Sequence, residues 1–107
     1  MKDDLWPEGG FFDKISDLRD EQGPIDLPTL GGSTALPMRQ FEMEDRYRKA
    51  KFVHKERITQ GWDDLLELDL AEIMVERDDN ARKDLLVKLA SHCAAWYTAI
   101  ENKENNG

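Results

Sequence analysis

The chain has 107 residues, with 15 Lys and Arg against 23 Asp and Glu, and its formal net charge is −8. This balance argues against binding to bulk nucleic acid or to an anionic membrane, because both attract cationic proteins. Leu, Ile, Val and Phe supply only 24 of the residues, close to the limit below which charged chains stay unfolded. We therefore expect one small domain whose thin core is completed by a homo-oligomer, either a dimer or a larger assembly.

The cysteine content indicates the compartment. Cys93 is the only cysteine, so an intramolecular disulfide is excluded, and two histidines leave little material for a zinc cluster. We expect a protein of the reducing cytoplasm. No apolar run approaches the roughly 18 residues of a membrane span, and the first residues lack the apolar region of a signal peptide.

The first half of the chain predicts two helices separated by a long loop. Phe11, Ile15 and Leu18 recur at helical spacing in residues 11–21. Residues 22–37 are rich in Gly and Pro and cannot be regular; such a loop is either a binding loop or a plain connector. Residues 38–59 contain neither Gly nor Pro and predict the second helix.

The second half predicts two more helices. Gly61 ends the preceding helix, and the next begins at Trp62 with acids in its first turn. We expect Leu66, Leu70 and Ile73 to form its apolar stripe. Trp62 and Trp96 are interpreted as core residues that pack across the helix pair, and Cys93 as a core residue.

The last helix follows a tight connection at residues 77–80, for which Asp79 or Asn80 is the expected cap. It extends from about residue 81 to residue 102, and residues 103–107 are expected to fray. No segment predicts a strand, so the expected class is all-α.

Charge is distributed unevenly along the chain. Residues 39–57 carry seven bases against four acids, whereas residues 63–79 carry eight acids against Arg77 alone. In the basic segment, Arg46 and Lys49, with Lys51 and Lys55, could contact phosphates or pair with the acidic helix. Surface ion pairs of the latter kind are worth about 0 to 1 kcal/mol each.

Three carboxylates of the acidic helix share one face. Asp69, Glu72 and Glu76 stand at positions i, i+3 and i+7. Hard cations such as Mg²⁺ or Mn²⁺ take oxygen ligands of this type, and a bound ion can hold phosphates. Acids at this spacing are also a common pattern of solvated surfaces, and spacing alone favours that interpretation.

The segment from Trp62 to Ile100 resembles the core helix pair of the MazG-like, all-α nucleoside triphosphate pyrophosphohydrolases, closest to a small phage and actinobacterial branch. The sequence Leu68-Asp69-Leu70-Ala71-Glu72 matches the family's E-E-x-x-E motif at two of its three acids. Upstream, residues 18–23 and the Gly/Pro segment resemble the family's N-terminal helix and loop. The resemblance spans about residues 11–103.

This resemblance implies an antiparallel helical bundle, usually dimeric, in which carboxylates of two adjacent helices bind Mg²⁺. The metal would hold the phosphates of a nucleotide and activate a water that releases pyrophosphate. Asp69 and Glu72, with Glu76, are then the expected metal ligands, for a single ion at most.

The last helix departs from the family pattern. With Trp62 and Trp96 in register, the family's acid and its second acid or glutamine fall on Leu85 and Lys88. Leucine cannot bind a cation, and lysine adds positive charge where the metal would lie. Lys88 could instead bind phosphate directly. His92, four residues later, could join it, but without a paired carboxylate a helix-packing role is the favoured interpretation.

Three functional hypotheses follow. The first is a nucleotide-phosphate-binding protein of MazG-like fold with weakened or lost catalysis, which sequesters a nucleotide such as a signalling nucleotide. Its phosphate-binding residues would be Lys88, His92, Arg46 and Lys49. The second is an active Mg²⁺-dependent pyrophosphohydrolase, with further ligands from Glu76, Asp84 or a neighbouring subunit. The third is a helical protein-interaction module.

Overall fold

The computed structural model describes residues 9–27, 36–56 and 60–106. It contains four helices there, α1 (Gly9–Gln22), α2 (Pro37–Glu56), α3 (Trp62–Val75) and α4 (Asp79–Asn106). These three ranges hold no strand, so the predicted all-α class is confirmed for them. Within the same ranges, no helix combines the length and apolarity needed to cross a membrane.

The helix boundaries lie close to the predicted ones, with a difference at the C-terminus. α4 continues through Asn106, so residues 103–106, which the composition predicts to fray, are helical. Most of the predicted Gly/Pro loop, residues 28–35, lies outside the described residues, as do residues 57–59 and Gly107. Residues 23–27 of that loop are described and are not helical.

The chain divides into two compact units. The expectation of a single helical domain stays a prediction. The terminal unit comprises residues 1–27 and 93–107, and the central unit comprises residues 28–92. In the terminal unit the ring centroids of Phe11 and Tyr97 lie 5.3 Å apart, and the ammonium group of Lys14 lies 5.5 Å from the centroid of the Tyr97 ring. These contacts join α1 to the C-terminal part of α4.

Gly23 ends α1. Its N–H group donates to the carbonyl of Arg19 at 3.0 Å, and its φ of 71° is left-handed, a conformation that glycine adopts without steric cost. The Arg19 side chain donates to the Gly23 carbonyl at 3.0 Å. Backbone groups at the C-terminal end of α1 are thereby hydrogen-bonded by residues of the same segment.

The central unit is built on α2 and α3, which pack along each other. Met43 of α2 and Ile73 of α3 are buried. Over the described ranges, the only other fully buried residues are Ala94, Asp64 and Asp69, so two of the five are carboxylic acids. The chain thus buries few apolar side chains on its own.

Side chains cap both ends of α3. Asp64 accepts a hydrogen bond from the Gly61 N–H at 3.1 Å, which satisfies a donor at the start of the helix. At the other end, Arg82 of α4 donates to the carbonyls of Ile73 and Glu76, groups that α3 itself leaves unpaired. Arg82 therefore ties the end of α3 to the start of α4.

The cap of α4 is Asp78, and the prediction of Asp79 or Asn80 was wrong. The Asp78 carboxylate accepts from the Ala81 N–H at 3.0 Å, the geometry of an N-cap. Asp79 is already the first helical residue and pairs with Arg82 instead. Asp78, Asp79 and Asn80 are all of types that commonly cap helices, so the local sequence does not indicate which of them is the cap.

The predicted apolar stripe of α3 was wrong at one position. Ile73 is buried and Leu66 is half-buried, but Leu70 is exposed, and its neighbour Asp69 is buried instead. Because adjacent side chains differ by about 100° around a helix, turning Asp69 inward moves Leu70 outward. Cys93 is half-buried.

The two predicted core tryptophans are not fully buried. Trp62 is exposed and Trp96 is half-buried. Trp62 is the first residue of α3, where a side chain has only one turn of its own helix beside it. The interpretation of Trp62 as a core residue was therefore wrong.

Candidate functional site

Asp69 and His92 form a part-buried polar contact in the central unit. Nδ1 of His92 donates to Oδ2 of Asp69 at 2.5 Å. The Asp69 side chain is 1% exposed and the His92 side chain 29%. Since the imidazole presents Nδ1 to the carboxylate, its Nε2 is directed away from Asp69.

The second contact joins Lys88 to the same acidic face. Nζ of Lys88 donates to Oε1 of Glu72 at 3.2 Å and lies 4.0 Å from Oδ1 of Asp69. Asp69 Oδ1 is buried and accepts no hydrogen bond from the described residues. The ammonium group therefore places a positive charge 4.0 Å from a carboxylate oxygen that accepts no hydrogen bond from the described residues.

Glu76 does not join this cluster. It follows the last residue of α3, and its Oε1 accepts hydrogen bonds from the backbone N–H groups of Arg77 and Asp78, at 3.0 and 3.1 Å. A carboxylate used in this way closes the helix end. Of the three expected carboxylates, Asp69 and Glu72 therefore contact the side chains of His92 and Lys88, whereas Glu76 accepts hydrogen bonds from the backbone.

These side chains do not fit a metal ion as they stand. Among the described residues, no group of three or more His, Cys, Asp or Glu side chains could hold one. An ion bound by Asp69 and Glu72 would have to displace Lys88 and His92 first. The metal site that the spacing suggests stays a prediction, and no reaction step is derived through it.

A pocket of about 580 Å³ opens between α2 and α3. Apolar side chains form most of its wall: Met43, Ala50 and Val53 from α2, and Leu70, Ala71 and Met74 from α3. Small-molecule sites in proteins have volumes of roughly 300–1,000 Å³ and mostly apolar walls with a few polar groups. The pocket has the size and lining of a ligand site.

Charged side chains also line the pocket. Arg46 and Lys49 of α2 supply two cations and Glu67 of α3 supplies one acid, so the local charge is positive although the chain is acidic. Lys49 also pairs with Asp45 at 2.9 Å, and this hydrogen bond lowers the pKa of the Asp45 carboxyl. Such an exposed pair is weak and leaves the ammonium group able to exchange partners.

The four expected phosphate-binding residues separate into two pairs. Lys88 and His92 contact the acids of α3, whereas Arg46 and Lys49 line the pocket. The contacts among Asp69, Glu72, Lys88 and His92 form the acid cluster. Asp69 belongs to this cluster, whereas its neighbour Leu70 lines the pocket. The two features therefore occupy different faces of α3.

Tyr47 of α2 is influenced by the charges of the acid cluster, a role that the sequence does not assign to it. Burial raises the pKa of its phenol, and the nearby charge of Glu72 raises it further, while Lys88 acts in the opposite direction. The ammonium group of Lys51 lies 4.3 Å from the Tyr47 ring centroid. The influence of Glu72 and Lys88 on the Tyr47 phenol depends on how α2 packs against α3, which no local pattern reveals.

The pocket wall was also missed, although a signal for it exists. Met43, Ala50 and Val53 recur at intervals of seven and three along α2, a spacing typical of one helix face. Arg46 lies within the same arc. An apolar face that includes a cation was available in the sequence as a candidate pocket lining.

Comparison with known proteins gives no relative for this chain: no family model matches it, and neither a curated protein nor a solved structure does so. The functional argument therefore depends on the pocket and on the acid cluster.

Proposed function

We propose that this protein binds a nucleotide, or a related organic phosphate, in the pocket between α2 and α3 and sequesters it without turnover. The observation that carries the proposal is the combination of an apolar wall with Arg46 and Lys49 beside it. Apolar walls suit the faces of a base, and guanidinium and ammonium groups are the usual partners of phosphate oxygens. The carboxylate of Glu67 repels anionic groups, so the phosphate of the ligand is expected to lie beside Arg46 and Lys49 rather than beside Glu67.

The weakened catalysis in this proposal is supported by the acid cluster. In the family that the sequence resembles, carboxylates equivalent to Asp69 and Glu72 bind Mg²⁺, and the register of that resemblance places the family's further acid at Leu85 and its second acid or glutamine at Lys88. Lys88 does lie beside both acids, 3.2 Å from Glu72. A lysine at this position neutralises the carboxylates and competes with a cation for them.

The MazG-like bundle and its completion by a second copy are part of the same proposal. Few apolar side chains are buried in the described part of the chain, whereas many large ones are exposed on every helix. Association of two copies would remove part of that apolar surface from water. We therefore expect a homodimer.

The first experiment looks for a small molecule in the purified protein. Heat denaturation followed by mass spectrometry of the supernatant should recover an intact nucleotide or other organic phosphate. If none is retained, calorimetry with mono-, di-, tri- and cyclic nucleotides, with and without Mg²⁺, provides the second measurement. Binding should not require Mg²⁺, because the proposed contacts are made by protein cations.

Variants locate the binding site. Arg46→Glu and Lys49→Glu should each weaken binding by about tenfold to a hundredfold, the loss expected for one charge-assisted contact. Lys83→Glu, an exposed residue of α4 with the same charge change, is the matched control and should bind normally. Ala71→Leu should fill the pocket and reduce binding while leaving the protein folded.

Two results would replace the proposal. Pyrophosphate release that requires Mg²⁺ and disappears in Asp69→Asn and Glu72→Gln would establish the alternative, an active pyrophosphohydrolase. Absence of both binding and turnover for the whole panel, with a protein partner that co-purifies, would favour the helical interaction module.

A further inference from the structure

α2 carries an exposed apolar stripe that no described neighbour covers. Met38, Phe41 and Phe52 are 70%, 59% and 66% exposed. At 100° per residue, their directions fall within an arc of about 60° around the helix, and Asp45 lies within the same arc. Scattered exposed apolar residues are normal, but large ones aligned on one face indicate a contact surface.

The charges of α2 are ordered along its length. Residues 42–45, Glu-Met-Glu-Asp, contain three acids and no base, whereas residues 46–55 contain five bases and no acid. Two parallel copies of this helix would place like charges together. Two antiparallel copies would place the acidic block of each beside the basic block of the other.

The apolar stripe and the charge order agree on one register. When Phe41 of one copy lies opposite Phe52 of the other, the intervening residues 42–45 lie opposite residues 48–51, Arg-Lys-Ala-Lys, of that copy. The same register repeats at the other end by two-fold symmetry, as an isologous interface requires. A surface that meets a second copy of itself with complementary charge favours self-association over an unrelated partner.

We propose that two copies of this chain associate through antiparallel α2 helices, with Phe41 of each copy packed against Phe52 of the other. The inference rests on the self-association stated under Proposed function and names the surface responsible. Its apolar contacts lie outside the pocket, because Met38, Phe41 and Phe52 do not line it, whereas Lys49 and Ala50 of the facing segment do.

The charges of the stripe are available for such an interface. Within one chain, Arg39 pairs with Glu42 at 3.3 Å, and Asp45 pairs with Arg48 at 3.4 Å. These are exposed pairs within one helix, which stabilise it by only about 0.2–0.5 kcal/mol each. Exchanging them for pairs between copies, at the edge of an apolar contact, costs little.

Sedimentation over a range of protein concentrations tests the surface. The wild-type chain should sediment as a dimer, and Phe41→Asp and Phe52→Asp should each shift it to monomer. Val87→Asp is the matched control, because Val87 is 69% exposed but lies on α4; it should remain dimeric. Circular dichroism of each variant verifies that the helices are intact.

A charge exchange tests the antiparallel register. The acid variant, Glu42→Lys with Asp45→Lys, and the base variant, Arg48→Glu with Lys51→Glu, should each weaken self-association by at least about tenfold. Mixing the two should restore a heterodimer, since each supplies the charges that the other lacks. Both variants keep Arg46 and Lys49, but Asp45→Lys removes the carboxylate that pairs with Lys49, so nucleotide binding is measured in parallel on the base variant.

The outcomes separate the two levels of the inference. A wild-type chain that stays monomeric at its highest soluble concentration overturns self-association altogether. A dimer that survives Phe41→Asp and Phe52→Asp overturns this surface alone. Charge variants that each dimerise like the wild type, or a mixture that does not recover, overturn the antiparallel register.

Discussion

His92 donates from Nδ1 to the buried carboxylate of Asp69 at 2.5 Å, across the contact between α3 and α4. The sequence offers no carboxylate near His92, and for that reason a packing role was the favoured interpretation. The two residues are 23 positions apart. Their contact fixes the rotation of α3, and it makes His92 an oriented imidazole rather than an isolated one.

The Asp69–His92 contact should show measurable energetic coupling. A double-mutant cycle with Asp69→Asn and His92→Gln is expected to give an interaction energy of about 0.5–3 kcal/mol, the range for residues in direct contact. Urea unfolding of the four proteins measures it. The exposed pair Asp45 and Arg48 is the comparison and should give about 0–1 kcal/mol. Equal coupling energies would mean that burial of Asp69 contributes nothing.

Lys88→Glu should convert the acid cluster into a cation site. The substitution removes the ammonium group beside Glu72 and adds a carboxylate near Asp69 and Glu72. Without metal, repulsion should lower the thermal midpoint, and Mn²⁺ should restore it. Electron paramagnetic resonance should show Mn²⁺ affinity at least about tenfold above that of the wild type. Lys83→Glu is the control for net charge, and equal Mn²⁺ binding by both variants would refute the cluster as the site.

Tyr47 should make stability depend on alkaline pH. Burial, followed by the charge of Glu72, raises the pKa of its phenol above the ordinary value of 10.0. Unfolding lets the phenol ionise more easily. The contribution of Tyr47 to the free energy of unfolding is therefore fully present below the pKa of the unfolded chain, and it is lost as pH rises through the higher pKa of the folded chain.

Tyr47→Phe removes this dependence. Urea unfolding at neutral pH and above pH 10.0 should show a smaller alkaline loss of stability in the variant than in the wild type. Identical losses in the two proteins would show that the Tyr47 phenol titrates alike in the folded and unfolded chain.

Asp78 should stabilise the start of α4. Asp78→Ala removes the carboxylate that accepts from the Ala81 N–H and should cost about 1 kcal/mol of unfolding free energy. Asn80→Ala, at a position that the sequence offered as the cap, should change stability little because Asn80 lies inside the helix. The reverse order of the two effects, in chemical denaturation, would assign the cap to Asn80.

For the part of the chain that the structure describes, periodicity and helix-breaking residues by themselves determined the all-α class, the four helices and most of their boundaries. These features are local, because the 3.6-residue repeat, Gly23 and Gly61 act within a few residues of chain. The basic and acidic segments were likewise evident in the sequence. So was the group of residues from which the acid cluster is drawn.

Only the tertiary structure decided which of those residues meet. A local pattern cannot distinguish Asp69 turned inward from Leu70 turned inward, because the two differ by a rotation of about 100°. In the folded chain, Asp69 and Glu72 contact His92 and Lys88, which lie on a different helix. The same packing separates Arg46 and Lys49 from Lys88 and His92 and leaves an apolar pocket beside the first pair. Contacts between distant segments depend on how helices pack, and a single sequence does not contain that arrangement in any local signal.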